Sequence, residues 1–226
     1  MLSVHTHENE NPQDDLDFEE TVIDLAADGN PQLFFYSWSS PTLVLGYGQR
    51  HTETLEQAAK TRGIPVFRRR TGGTGVLQNG DLNISLALEK NHPYSAGIHT
   101  LYKHFLFAIT KGLQRVGIPT LLSEGAVKKA AQRSHICFED HAVETLLVDG
   151  KKVVGCAQAR RRGAALVHGT LMLNIDTQLQ AEIFGVPRSR IDTSIGAIPI
   201  LPGLTKQQIA QAIADEMTQL IKGETT

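Results

Sequence analysis

Apolar residues recur every three or four positions between 94 and 116. Ile98, Leu101, Tyr102, Phe105, Ile109, Leu113 and Val116 fall on one broad face. That stripe predicts a long helix with one side buried, and Gly117 stands where a left-handed cap ends it. The same spacing at Phe18, Val22 and Leu25 predicts a helix over 15–28, stopped by Gly29. Ile209, Ile213, Met217 and Leu220 predict a last helix starting at Thr205, with Gln208 completing a capping box. HTETLEQAAKTRG reads as a short helix with Gly63 behind it. Elsewhere the pattern is alternating or briefly continuous. LFFYSW and TLVLGYG read as strands joined by Ser39-Ser40-Pro41, IPVFRRR and LNISLALEK as two more, and AALVHGTLMLNID as another. AVETLLVDGKKVVGCAQ is a hairpin turning at Asp149-Gly150. Strands and helices mix without a regular βαβ alternation. The expected fold is α+β, a mixed and largely antiparallel central sheet with packed helices, and not a doubly wound sheet.

Composition narrows the function classes. The 226 residues, 41% hydrophobic and 20% charged, suit one sizeable core, and neither repeat nor low-complexity linker divides them. A single catalytic domain over 1–226 is expected. A formal net charge of −2 argues against a dedicated nucleic-acid binder. No apolar run approaches the roughly 20 residues of a membrane span, so no membrane partner is expected. The N-terminal MLSVHTHENENPQDD is polar and acidic and lacks the core of a signal peptide, so residues 1–14 are expected to be a partly disordered lead-in. Two cysteines make no disulfide framework and fit a reducing cytoplasm, where a thiol stays free for chemistry.

The stretch with the most chemistry is RRRTGGTGVLQNGDLNISLAL, 68–88. A P-loop is excluded: no Gly-Lys-Ser/Thr follows, and a strand stands where a helix should. A dinucleotide fingerprint fails on spacing. What remains is a tight turn, or bare backbone that lets a ligand approach and offers N–H groups to a carbonyl or anionic oxygen. Three glycines in four positions directly behind three arginines favour binding.

This stretch resembles the arginine–glycine loop of the lipoate-protein ligase and octanoyltransferase family, which shares its fold with biotin-protein ligases. FYSWSSPTLVLGYGQR resembles the family's early strand pair. VDGKKVVGCAQARRRGAALVHGTLMLNID resembles its Lys-Val-x-Gly-x-Ala-Gln … His-Gly-Thr-Leu block. The blocks stand in family order over 33–176. Departures are Gln78-Asn79 where the family has His-Asp, and Val143-Glu144 before the hairpin.

The resemblance implies an acyl pocket enclosed by Arg70, Thr71, Gly72, Gly73, Gly75, Asn83, Gly155, Ala157, Gln158, His168, Gly169 and Thr170, with Lys152 as the acyl-binding lysine. His168 is expected to form a wall or a hydrogen bond. Cys137, followed by Phe138, resembles the cysteine of the transferases, which take an acyl group from a thioester without ATP. A thiolate exchanging one thioester for another needs no outside energy, and a nearby ammonium raises the thiolate fraction. The resemblance then implies an acyl carrier protein or lipoyl-carrier protein as donor of an octanoyl or lipoyl group. A lysine of a lipoyl domain or of a glycine-cleavage carrier protein is the implied acceptor. One alternative is an ATP- and Mg-dependent lipoate-protein ligase acting through lipoyl-AMP. Another is a non-catalytic lipoyl-binding paralogue.

Three other clusters are weighed. His135, Cys137 and His141 lack a fourth ligand at zinc spacing, so no metal is expected. Arg160, Arg161 and Arg162 are by default a solvated run; if they stand beside Arg68, Arg69 and Arg70, the resemblance implies a basic rim that would steer an acidic carrier. Asp14, Asp15 and Asp17 are expected at a helix start. Cys156 is expected to line the pocket or to be structural.

Overall fold

The computed structural model describes residues 1–8, 11–124 and 144–223. A five-stranded sheet forms its centre, built from β1 (Ser3–His7), β2 (Gln32–Tyr36), β6 (Leu82–Glu89), β11 (Ala164–Leu171) and β10 (Val154–Arg161), in that spatial order. Only the β1–β2 pair is parallel; β2–β6, β6–β11 and β11–β10 are antiparallel. The mixed, mainly antiparallel sheet is the one expected. Its central strands are buried on both faces, which explains why QLFFY and AALVHGTL run apolar instead of alternating.

Two helices, α3 (Ile98–Arg115) and α6 (Lys206–Lys222), cover one face and pack the largest core with Phe35, Ile84, Leu86 and Val167. They approach closely at Gly112, where an added Cβ would lie 2.7 Å from the Ile213 Cα. The Thr205–Gln208 capping box starts α6 as the sequence predicts. The stretch expected to open the long helix at 94 is a separate 3-10 turn, Pro93–Ser95, because Pro93 and Gly97 interrupt it.

The other face is covered by α1 (Pro12–Ala27), packed on Phe34, Tyr36 and Leu166. Here the sequence reading needs two corrections. Residues 3–7 are not a disordered lead-in but the edge strand β1, paired along its whole length with β2 and anchored by buried Leu2. The helix begins at Pro12, three residues earlier than expected, because the Asn11 side chain accepts from the Gln13 N–H and proline suits the first turn. Its buried face is Leu16, Glu19, Val22, Ile23 and Ala26, whereas Leu25 is exposed.

A smaller sheet, β4 (Val66–Arg68), β3 (Thr42–Leu45) and β5 (Val76–Gln78), packs with α2 (Glu53–Thr61), α4 (Thr177–Phe184) and α5 (Arg188–Ser194) around a second core. A third sheet holds β7 (Leu121–Glu124), β8 (Glu144–Val148) and β9 (Lys151–Lys152), the last two joined by the expected Asp149-Gly150 turn, both with positive φ. The glycine loop is the link from β4 to β5. It therefore lies where the small sheet meets β10 and β11.

Candidate active site

The three arginines at the loop's entrance go three ways. Arg68 turns out and back, donating to the carbonyls of Gly46 and Gln49 at 2.7 and 3.0 Å. Arg69 turns in and is 2% exposed. Its guanidinium donates to Thr71 Oγ1 at 3.1 Å and to the carbonyls of Val44, Gly72 and Thr74 at 3.2, 2.6 and 2.9 Å. One buried cation thus ties the loop into a fixed ring, each charge-assisted bond stronger than a neutral one. Arg70 turns to the surface and lies 3.8 Å from Glu20.

Glycine is required at two points. Gly73 has φ +85°, and a Cβ there would stand 2.8 Å from the Arg69 guanidinium. Gly46 of the β3 end packs so tightly on the loop that its Cβ would fall 2.1 Å from the Gly73 carbonyl oxygen. Gly73 also lies over Ala157 of β10. The loop thereby lays bare backbone across the strand carrying the Gly155–Gln158 motif.

Beneath it is a narrow slot. Leu16 of α1, Tyr36, Val44, Arg69, Val76 and Gln78 wall one part of it; Gly155, Cys156, Ala157, His168 and Thr170 wall the rest. The enclosed space is about 10 Å³, close to the room one water needs.

A proton-bearing chain runs behind the slot. Thr71 Oγ1 lies 3.2 Å from His168 Nε2, and His168 Nδ1 lies 3.0 Å from Glu19 Oε1. Glu19 is fully buried and also accepts from the hydroxyls of Ser85 and Tyr36 at 2.6 and 3.2 Å. Burial pushes its carboxyl up, but the charge of His168 and hydrogen bonds from His168, Ser85 and Tyr36 outweigh it, so its pKa is held below the usual value. Tyr36 is pushed well up, first by burial and then by the Glu19 charge. The row runs from the Arg69 Nε–H, which donates to Thr71, through the His168 ring to Glu19, and so joins a buried guanidinium to a buried carboxyl group.

A second buried network closes on itself. The Asn83 amide donates to Gln78 at 2.7 Å, Gln78 donates to Thr170 at 3.3 Å, and Thr170 donates to Asn83 at 2.8 Å. Gln78, standing where the family has histidine, is thereby a structural member of the slot wall. Glu19 Oε2 and Thr74 Oγ1 are buried without a hydrogen-bond partner. They are polar groups of the kind that collect at binding sites.

The sequence-derived residues sort clearly. Gly155, Ala157, His168 and Thr170 wall the slot, with Thr71 and Asn83 behind it and Gly73 over Ala157; Gly72 and Gly75 belong to the same loop. Four do not line it: Arg70, Gln158, Gly169 and Lys152. Arg70 is at the rim, and Arg69 takes the inward place expected of it. Gln158 turns to α3 and donates to the Ile98 carbonyl at 2.8 Å. Gly169 faces the large core, where a Cβ would meet Phe105 at 3.1 Å. Lys152 is not the solvated hairpin lysine that its turn suggests: it is 6% exposed, while Lys151 is exposed. Burying an ammonium is costly, so the fold holds Lys152 there against its solvation. Cys137, with His135, His141 and Val143, lies outside the described residues. Glu19 was missed by the sequence reading, as was Arg69.

Among the described residues no group of His, Cys, Asp and Glu side chains is arranged to hold a metal, and no helix is long and apolar enough to cross a membrane. Cys156 is half-buried at the slot wall, as expected.

The chain is similar to known proteins along most of its length. It is 30% identical over 189 residues to octanoyltransferase LipM of Geobacillus kaustophilus, covering 80% of this chain and 68% of that protein. It is 31% identical over 188 residues to octanoyltransferase LipM of an Exiguobacterium species, covering 79% and 68%. In three dimensions it resembles a lipoate-protein ligase A crystallised with ATP, with TM-score 0.78 and 20% identity over 97% of this chain and 85% of that one. The bi-partite lipoate protein ligase of Thermoplasma acidophilum gives TM-score 0.76 and 21% identity over 97% and 83%. The profile of the lipoyl protein ligase A/B catalytic domain matches residues 11–218. The chain belongs to the lipoyl protein ligase A/B catalytic-domain family.

Proposed function

We propose that the chain is an acyltransferase of protein lipoylation, moving an octanoyl or lipoyl group from a thioester donor through Cys137 to a lysine amine on a lipoyl-carrier domain. The similarity to named octanoyltransferases across four-fifths of the chain carries this reading. The loop-covered slot supplies its physical content. An acyl chain enters between the glycine loop and β10, and the slot walls part to admit it. Its carbonyl meets backbone N–H groups and the Lys152 ammonium.

The chemistry balances without ATP. The Cys137 thiolate attacks the donor thioester carbonyl, the carrier sulfur leaves and takes up a proton, and an acyl-enzyme thioester remains. The acceptor amine then attacks that carbonyl, forms the amide and returns the thiol. Both steps pass through an oxyanion, where a positioned donor contributes about 3–4 kcal/mol. The ATP-dependent alternative has the shared fold behind it and nothing more specific.

The test is transfer itself. Octanoyl-carrier protein and an apo lipoyl domain, incubated with the chain without nucleotide, should yield octanoyl-lysine on the domain. Lys152→Ala should lower kcat about 10²–10³-fold. Modification that appears only on adding lipoate and Mg-ATP would overturn the reading in favour of a ligase.

A further inference from the structure

The arginine run at 160–162 is left over once the slot is assigned. It forms, with Lys90, Gly163, Ala164 and Ala165, the lining of a cavity of about 300 Å³. We propose that this cavity and the cationic strip joining it to the glycine loop are the docking surface for an acidic face of the carrier protein. The proposal rests on the transferase reading above and names where its protein partner sits.

Charge is concentrated here. Arg70, Lys90, Arg160, Arg161 and Arg162 gather around Glu20, Asp24 and Glu89, an excess of cations on a chain whose net charge is −2. The guanidinium groups are also held in place. Arg160 donates to the carbonyls of Ser95 and Gly97 at 2.6 and 2.8 Å. Arg161 is paired with Glu20, and Arg162 reaches both Glu20 and Asp24 at 3.2 and 3.1 Å. Fixed donors lose little freedom when a carboxylate arrives.

Stability does not explain this arrangement. Exposed ion pairs contribute about 0–1 kcal/mol. Arg162 sits with φ +51° in the β10–β11 turn, a conformation costing an L-residue with a long side chain about 1–2 kcal/mol and asparagine or glycine less. A long cation is kept where a smaller residue would fold better.

The strip also lies in the right place. Glu20 joins Arg70, whose neighbour Arg69 is in the slot wall, to Arg161 at the far end of β10. From Ala157 to Arg161 the strand covers about 13 Å at 3.3 Å per residue. A partner held there stands beside the mouth and leaves it open for the acyl-bearing arm.

The experiment compares two donors, octanoyl-carrier protein and the octanoyl thioester of N-acetylcysteamine, in the full chain and in Lys90→Glu/Arg162→Gln. The expected result is a fall of about tenfold or more in kcat/KM for the protein donor, mostly in KM, with a flatter salt dependence and unchanged turnover of the small thioester. Protein-donor kcat/KM within twofold of the native value overturns the docking assignment. So does an equal fall with both donors, the signature of structural damage. A native chain inactive with either donor sinks the transferase reading, and the docking assignment with it.

Discussion

At the scale of single residues, Glu19 is the group on which the slot depends. It is a buried carboxyl group whose pKa is held below the usual value by His168, Ser85 and Tyr36, and it anchors the His168 ring at Nδ1. Glu19→Gln keeps the shape and removes the charge. It should cost about 2–4 kcal/mol at pH 7 in urea unfolding, because charged hydrogen bonds are lost inside the protein. The pH sign follows from the direction of the shift. With its folded pKa depressed, Glu19 stabilises fully above the ordinary carboxylate value of about 4.3 and loses that contribution as pH falls through the lower folded value. The gap in Tm between native chain and variant should therefore narrow below about pH 4. A gap that stays constant to pH 3 would mean that Glu19 is not ionised in the fold. Gly46→Ala is the second residue-scale test. Its Cβ would stand 2.1 Å from the Gly73 carbonyl, so loop or strand must move. Loss of 2 kcal/mol or more in stability, or of octanoyl transfer with the fold retained, is expected.

At the scale of elements, the stop signals were more legible than the buried faces. The α6 capping box, the Asp149-Gly150 turn and the Gly29 stop stand where the residues put them, because each depends on neighbours within four positions. Helix α1 shows the limit. Phe18, Val22 and Leu25 suggest one face, yet the helix buries Leu16, Glu19, Val22, Ile23 and Ala26. The true stripe contains two acids, Asp15 and Glu19, whose partners Trp38, His168 and Ser85 are distant in the sequence. A hydrophobic pattern cannot mark a position that is buried because something far away pays its desolvation. The arginine triplet hides its inward member for the same reason: β4 ends at Arg68, so strand alternation no longer says which of the next two points in. Helices α4 and α5 were missed because their short stripes pack on the small second core. Two element-scale outcomes are expected. Thr205→Ala removes the cap and should cost about 1 kcal/mol, a fall in Tm of about 2–4 °C by calorimetry. Gly112→Ala drives a Cβ into the Ile213 backbone and should cost about 1–3 kcal/mol.

At the scale of the whole molecule, one sheet serves both ends of the proposed reaction. The start of β10 carries the Gly155–Ala157 floor of the slot, and its end carries the arginine rim. Pairing with β11 through eight residue pairs keeps those two places at a fixed separation. The family resemblance made this fold legible, since its blocks are the loop and the two strands that build the slot. The network linking Arg69 to Glu19 has no such signal, because it joins residues fifty positions apart.

The claim at the centre is that a thiol carries the acyl group, and intact mass tests it without any acceptor present. The pure chain is incubated with octanoyl-carrier protein and no nucleotide, then weighed. A single octanoyl addition should appear on the native protein, persist in Cys156→Ser and be absent from Cys137→Ala. An adduct that survives in Cys137→Ala, or a native chain that transfers octanoyl to a lipoyl domain without ever carrying it, would contradict the account.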